Sequence, residues 1–406
     1  MRKSYSTRNK LIYLDHAATT AVLPEVLKAV RPYFIKHFGN PSEPHQWGQQ
    51  ARLAVDQARG KVAAFLGAKT SEILFTSGAT EAINLAHKGL IEARHERQQD
   101  RIPHIITSSI EHKAVIETCK HLERLKLAEV TYLSVDKDGL VKIKNIEKSI
   151  RPETVLVSVM YVNNEVGTIQ PIKEIGKLIK EINVSRLKSH LLPIYFHTDA
   201  TQAIQYLDCR VSELDVDLLS LSGHKFYAPK GVGVLYFKKG LSLIKQQDGG
   251  EQEYRLRAGT ENVPYIVGLG KAIELVQQNK KQSAKNIEKL RDKLIERVLK
   301  IPRVKLTGDF KKNAPHIATF LVEGVEGEAM MLLLSEEGIA SSSGSACTSG
   351  LLEPSHVLLA MGYQPEEAHG SLRFSLGKDN TEEEIDYVIK VLPTIIQKLR
   401  RMAPKL

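Results

Sequence analysis

Between about residue 60 and residue 240, short apolar runs rich in β-branched residues alternate with amphipathic stretches of helical period. Glu72-Ile-Leu-Phe-Thr76, His104-Ile-Ile-Thr107, Val130-Thr-Tyr-Leu-Ser-Val135, Val155-Leu-Val-Ser-Val-Met160, Pro193-Ile-Tyr-Phe-His197 and Leu218-Leu-Ser-Leu-Ser222 predict strands, and Ala79 to His95, Lys113 to Leu127 and Ile172 to Ile182 predict helices between them. Such alternation predicts an α/β fold, a mainly parallel sheet covered by helices on both faces, with ligands at the carboxyl ends of its strands. After Gly270 the pattern changes to long helices with a few strands, among them Ile317-Ala-Thr-Phe-Leu-Val322 and Ser371-Leu-Arg-Phe-Ser375. This predicts a second, smaller α+β domain.

Composition narrows the class. The 406 residues, 42% of them hydrophobic, are enough for two or three domains with cores that need no staples. No apolar run approaches the roughly 18 residues of a membrane span. Three widely spaced cysteines, Cys119, Cys209 and Cys347, exclude a disulfide framework and offer no structural zinc pattern. The basic start, Met1 to Lys10, lacks the apolar core of a secretory signal, so a cytoplasmic location is expected. Lys+Arg 57 against Asp+Glu 47 gives a formal +10. Much of it lies in Lys280 to Lys300, where bases alternate with Ile287, Leu290, Leu294 and Val298, and where Glu288, Asp292 and Glu296 offer intrahelical partners. A solvated helix face is expected there, with a docking face for RNA or an acidic partner as the sharper alternative.

The polar residues of interest fall at strand ends. Ser77-Gly-Ala-Thr-Glu81 opens a helix, offering free backbone N–H groups to an anion. Asp199 ends a strand where a carboxylate pairs well with a protonated ring nitrogen. Lys225 follows the strand ending at Ser222, beside His224, where burial and a neighbouring positive charge favour the neutral amine that Schiff-base chemistry needs. His112 and Asn164 close two further strands, suited to ring stacking or proton transfer and to holding a phenolic oxygen. Alone, each has an ordinary reading as cap or turn residue. Together they point to an aromatic phosphate.

The motifs Tyr13-Leu-Asp-His-Ala-Ala-Thr-Thr20, Phe38-Gly-Asn-Pro-Ser42, Phe75-Thr-Ser-Gly-Ala-Thr-Glu81, Glu111-His-Lys113, Val162-Asn-Asn-Glu165, His197-Thr-Asp-Ala-Thr-Gln202, Ser220-Leu-Ser-Gly-His-Lys225, Arg257-Ala-Gly-Thr260, Ser342-Ser-Gly-Ser-Ala-Cys347 and Ser371-Leu-Arg-Phe-Ser-Leu-Gly377 follow in order over nearly the whole chain. In this combination the sequence closely resembles the cysteine desulfurases of the nitrogen-fixation and iron–sulfur-assembly type, class V aminotransferases of the fold-type I pyridoxal phosphate enzymes. The resemblance implies a large domain at 20–270 with a mainly parallel seven-stranded sheet. Residues 1–19 and 271–406 would form the small domain, carrying a mobile cysteine loop at about 341–352. It implies that Lys225 forms the internal aldimine with pyridoxal 5'-phosphate, that Asp199 holds the pyridinium nitrogen, and that His112 stacks on the ring and assists proton transfer. Ala79, Thr80, Ser222, His224 and, from the other subunit of a homodimer, Thr260 would hold the phosphate. Asn164 and Gln202 would contact the phenolic oxygen, and Asn40 and Arg373 the substrate carboxylate.

By the same resemblance L-cysteine is converted to L-alanine, and Cys347, in a Ser/Gly-rich loop, attacks the substrate sulfur and carries it as a persulfide. The acceptor would be a protein such as an iron–sulfur scaffold, or a carrier for tRNA thiolation. No resident metal, membrane contact or direct nucleic-acid contact is expected, transient ligation of a cluster by Cys347 being left open. Glu43 and Pro44 depart from the family's usual Asn-Pro-Ser-Ser-x-His, and the chain ends at Leu406 without the extended tail by which housekeeping members meet the scaffold. A selenocysteine lyase or another β-eliminating relative is the enzymatic rival; a basic RNA-binding or scaffold protein is the non-enzymatic one.

Overall fold

The computed structural model describes residues 11–97, 101–344 and 353–402. Seven strands form the central sheet: β1 (Ile73–Thr76), β2 (His104–Ser108), β3 (Glu129–Leu133), β4 (Thr154–Ser158), β5 (Tyr195–Asp199), β6 (Leu218–Ser222) and β7 (Gly233–Phe237). Their order is β1-β7-β6-β5-β4-β2-β3, and only the pairings of β7 are antiparallel. The carboxyl ends of β1, β2, β4, β5 and β6 therefore lie along one edge. β1, β2, β4 and β6 are buried at every position, which explains their continuous apolar reading and the absence of a polar face.

Helices cover both faces. α1 (Gln46–Leu66) starts where His45 Nδ1 accepts the Gly48 N–H and stops at Gly67, in the left-handed conformation at φ 64°. α2 (Ala79–Arg97) and α3 (Lys113–Arg124) pack on one face with Leu74, Ile105, Leu156 and Leu235. α1 and α4 (Ile172–Lys188) pack on the other, with Phe75, Ile106, Val157, Phe196 and Leu219. Cys119 is buried in the first layer, as its place on an amphipathic helix suggested.

The smaller unit is built on the antiparallel sheet of β8 (Val304–Leu306), β9 (Ile317–Val322) and β10 (Ser371–Ser375), in the order β10-β9-β8. Its core is closed by α6 (Glu382–Met402) and by the far half of α5 (Val263–Val298). Residues 12–13 join this unit by pairing with Ile339 and Ala340. The expected division near residue 270 falls inside α5. Its first part, through Ile273, packs in the core of the large sheet, and its last part, from Ile287, in the core of the small one. Packing changes there while the backbone runs on.

The basic stretch is less solvated than expected. Arg291 is fully buried and donates to the carbonyls of Asn313 at 3.2 Å and Ala314 at 2.7 Å. Lys280 donates to the Leu207 carbonyl and lies 5.0 Å from the Phe65 ring centroid. Lys293 bridges to Glu382 and Asp386 of α6. Part of the charge therefore fastens α5 to its neighbours rather than facing an acidic partner.

Candidate active site

At the carboxyl edge of the large sheet, where the small unit meets it, lies a cavity of about 610 Å³. Ala79, Thr80, His112, Asn164, Asp199, Gln202, Ser222, His224, Lys225 and Arg373 all line it. Ten residues expected from sequence, drawn from five strand-end or helix-start segments and from the middle of β10, up to 294 positions apart (79 to 373), thus share one space.

One end suits a phosphate. The turn Ser77-Gly78 leads from β1 into α2, whose first N–H groups have no helical partner. Glu81 Oε2 takes the Ser77 N–H at 2.8 Å, and Ala79 and Thr80 follow it along the cavity wall. β7 presses on this turn: a Cβ on Gly233 would sit 2.5 Å from Gly78 Cα, so only glycine fits there. His224 Nδ1 pairs with Thr19 Oγ1 at 3.0 Å, and burial, with Lys225 and Lys230 nearby, pushes its pKa down to about 4. At neutral pH it is an uncharged hydrogen-bonding group.

The middle suits a planar ring. Asp199 ends β5 nearly buried, its Oδ1 accepting the Thr201 N–H at 2.9 Å. Gln202 donates through Nε2 to the Ala17 carbonyl at 2.9 Å, and its Oε1 meets His316 Nε2 at 3.2 Å. His112 precedes α3, and its Nδ1 accepts the Ala114 N–H at 3.1 Å. That bond leaves the proton on Nε2 in the neutral ring. Burial is the main force lowering its pKa, opposed by the Asp199 charge and assisted by Lys225. Lys225 reaches across the cavity, donating from Nζ to the carbonyls of Ala17 and Ala18, each at 2.7 Å.

The far end carries a cation from the small unit. Arg373, on β10 and nearly buried, donates from one terminal nitrogen to the Asn164 carbonyl at 2.7 Å and from the other to Asp15 Oδ1 at 2.8 Å. These bonds fix the plane of the guanidinium, whose five donors exceed the two so used. Asp15 had no role in the sequence reading, because its partner lies 358 positions away.

Glu111, in the Glu111-His-Lys113 motif, stands directly behind the site. It is fully buried; Oε1 accepts from Ser108 Oγ at 2.6 Å and Met160 N at 2.9 Å, while Oε2 has no partner among the described residues. Burial first, and the nearby Asp199 charge last, push its pKa up to about 8 from 4.5. The folded state keeps this proton up to pH 8, whereas the unfolded chain releases it near pH 4.5, so this group's contribution to stability is lost as pH rises between those values. Glu111→Gln mimics the protonated form. It is expected to leave stability near pH 4 unchanged and to raise it by a few kcal/mol at pH 8, at about 1.4 kcal/mol per unit, checked by chemical unfolding at both pH values.

Two expected residues are not brought to the cavity within the chain. Asn40 is exposed, and its Oδ1 accepts the Ser42 N–H at 3.0 Å, so its side chain serves the local turn. Thr260 is also exposed. Cys347 lies outside the described residues, between Gly344 and Glu353, which line a second cavity of about 410 Å³ sharing His112 and Asn164 with the first.

The donor set fits pyridoxal phosphate: an anion cup at a helix start, a carboxylate beside a planar space, and a lysine opposite. Comparison with known proteins agrees. The family model for aminotransferase class V matches residues 12–388. A cysteine desulfurase IscS of Methanosarcina thermophila is 50% identical over 402 residues, covering 99% of this chain and 96% of that protein. One from Clostridium botulinum strain Hall is 48% identical over 399 residues, covering 98% and 97%. Among solved structures, a NifS-like protein superposes with a TM-score of 0.87 at 38% identity over 96% of this chain and all of that one. SspA in complex with cysteine superposes at 0.78 with 38% identity, over 91% and 100%. With its matched length, its sheet order and its lysine-centred cavity, the chain belongs to the class V aminotransferase family.

Proposed function

We infer that this protein is a pyridoxal phosphate-dependent cysteine desulfurase, taking sulfur from L-cysteine and releasing L-alanine. The observation that carries the reading is the meeting of Lys225, Asp199, His112 and Arg373 in one cavity of a chain half identical, from end to end, to a cysteine desulfurase.

When bound, pyridoxal phosphate supplies an electron sink for the pair released at the substrate's α-carbon. Ala79, Thr80, Ser222 and His224 hold its phosphate, Asp199 its ring nitrogen, and Asn164 and Gln202 its phenolic oxygen, with Thr260 of a second copy completing the phosphate site in a homodimer. Arg373 orients the substrate carboxylate with a planar fork. Lys225 provides the amine that anchors the cofactor and then carries the α-proton; neutral His112, protonated at Nε2, assists.

The sulfur acceptor follows from the cysteines. Cys119 and Cys209 are both buried, and burial pushes their thiols up, Cys209 to about 12, so neither supplies a thiolate at neutral pH. Cys347 remains. Its thiolate forms a bond to the substrate sulfur as the carbon–sulfur bond breaks; the electron pair left on carbon takes up a proton, giving L-alanine and a persulfide with no outside oxidant. A thiol that must return reduced suits the cytoplasm, and a sulfur-accepting protein of the iron–sulfur scaffold kind suits the product. Incubation with L-cysteine and a reducing thiol is expected to yield equal amounts of L-alanine and sulfide; pyruvate and ammonia in place of alanine would instead indicate β-elimination.

A further inference from the structure

Among the described residues, one run of consecutive non-glycine residues adopts positive φ, and it lies outside the cavity. Glu253, Tyr254 and Arg255 are consecutive non-glycine residues at φ 45°, 60° and 66°. Left-handed backbone is unfavourable for L-residues and rarely runs on, so the surroundings must enforce it. They do so through a buried ion pair. Arg59 of α1 donates to Glu253 through both terminal nitrogens, at 2.9 and 2.6 Å, and to the Ile73 carbonyl at 2.6 Å. Its guanidinium is flanked by the rings of Phe75 and Tyr254, 4.8 and 5.2 Å from their centroids.

The same carboxylate reaches the phosphate strand, Glu253 Oε2 accepting the Phe75 N–H of β1 at 2.9 Å. A second tie lies four residues on. Arg257 donates to Glu81 Oε1 at 2.9 Å, and Glu81 in turn holds the Ser77 N–H. The 251–262 loop is thus fastened at two points to the β1–α2 turn. Beyond the second tie, Gly259 donates its N–H to Gln252 Oε1 at 3.0 Å, and Glu261 is buried 3.8 Å from Arg52. Thr260, between these anchored neighbours, is exposed and absent from its own chain's cavity. A strained and doubly tied loop that presents a hydroxyl outward is built to serve a site elsewhere.

We propose that the Arg59–Glu253 pair is a positioning device that acts across the dimer, holding the 251–262 loop so that Thr260 of one copy completes the phosphate site of the other. This rests on the reading of Lys225 and Thr260 above. Neither Arg59 nor Glu253 touches the cofactor, so each acts only through the loop.

Mixed dimers carrying two purification tags test this through cofactor affinity, read from the visible absorbance of pyridoxal phosphate at the single intact Lys225. With Lys225→Ala on one chain and Glu253→Gln on the other, the intact site is served by an unaltered loop and is expected to bind as tightly as a Lys225→Ala/wild-type dimer. With both substitutions on one chain, the intact site is served by the altered loop. Binding is then expected to weaken by about tenfold, the scale of a lost charge-assisted contact. A merely structural role in its own chain predicts the opposite order. That order, equal affinity in both arrangements, or a protein that is monomeric throughout overturns the proposal. Should Glu253→Gln chains fail to assemble, Arg59→Lys keeps the buried charge but loses the paired donors to Glu253 and is judged by the same comparison. A reference dimer without cofactor absorbance would instead overturn the reading of Lys225.

Discussion

Lys225→Ala is expected to abolish the visible absorbance of the purified protein and to lower L-alanine formation by roughly 10²- to 10⁴-fold, the range attached to removing a positioned proton-transfer group. The expectation follows from placement. Lys225 sits in the turn after β6, and its Nζ lies 2.7 Å from the carbonyls of both Ala17 and Ala18, in the space also lined by Asp199 and His112. The fold has little reason to need it. Its loss leaves the Thr20 side chain bonded to the His224 carbonyl and the Tyr227 N–H, which hold the 17–20 segment against the turn. Thermal stability without cofactor is therefore expected to change little, and a variant that keeps both colour and turnover would remove Lys225 from the chemistry. The non-enzymatic rival, a basic scaffold or RNA-binding protein, predicts no colour in the unaltered protein either.

Cys347→Ala has the complementary signature. The cavity residues stay in place, so cofactor absorbance and the spectral response to L-cysteine are expected to persist. Alanine formation should fall to a small residue of the wild-type rate, because the remaining thiols of Cys119 and Cys209 are buried and held protonated. Undiminished consumption of L-cysteine with pyruvate and ammonia in place of L-alanine would show that sulfur leaves by elimination and not through Cys347.

Much of this was legible in the residues. Five strands lead into the segments that meet in the cavity, because a buried parallel strand is a largely apolar run and the polar residues that follow mark its end. Ile317–Val322 and Ser371–Ser375 were also readable to the residue. β7 was not read from its pattern: Val234-Leu-Tyr-Phe237 follows a glycine-rich turn closely, and only its antiparallel pairing with both β1 and β6 makes it a central strand. The burial of Arg291 was hidden because a base within a charged helix looks solvated until the carbonyls of Asn313 and Ala314 are brought to it. Asp15 escaped for the same reason, its function being a contact with Arg373 at the other end of the chain. Local pattern reports an element and its buried face; it does not report which distant carbonyl or carboxylate will satisfy a charge.

The left-handed run at Glu253–Arg255 is the clearest such case. Glu-Tyr-Arg carries no glycine or asparagine to announce a positive φ. The force comes from Arg59, 194 positions away.

Transfer of sulfur to Cys347 from L-cysteine held at Lys225 is read by mass spectrometry of the peptide containing Cys347 after brief incubation of the holoenzyme with L-cysteine, followed by alkylation. A mass increase of one sulfur atom is expected on that peptide, absent from the Cys119 and Cys209 peptides, absent in Lys225→Ala and removed by a reducing thiol. An unmodified Cys347 in protein that is meanwhile producing alanine would contradict it.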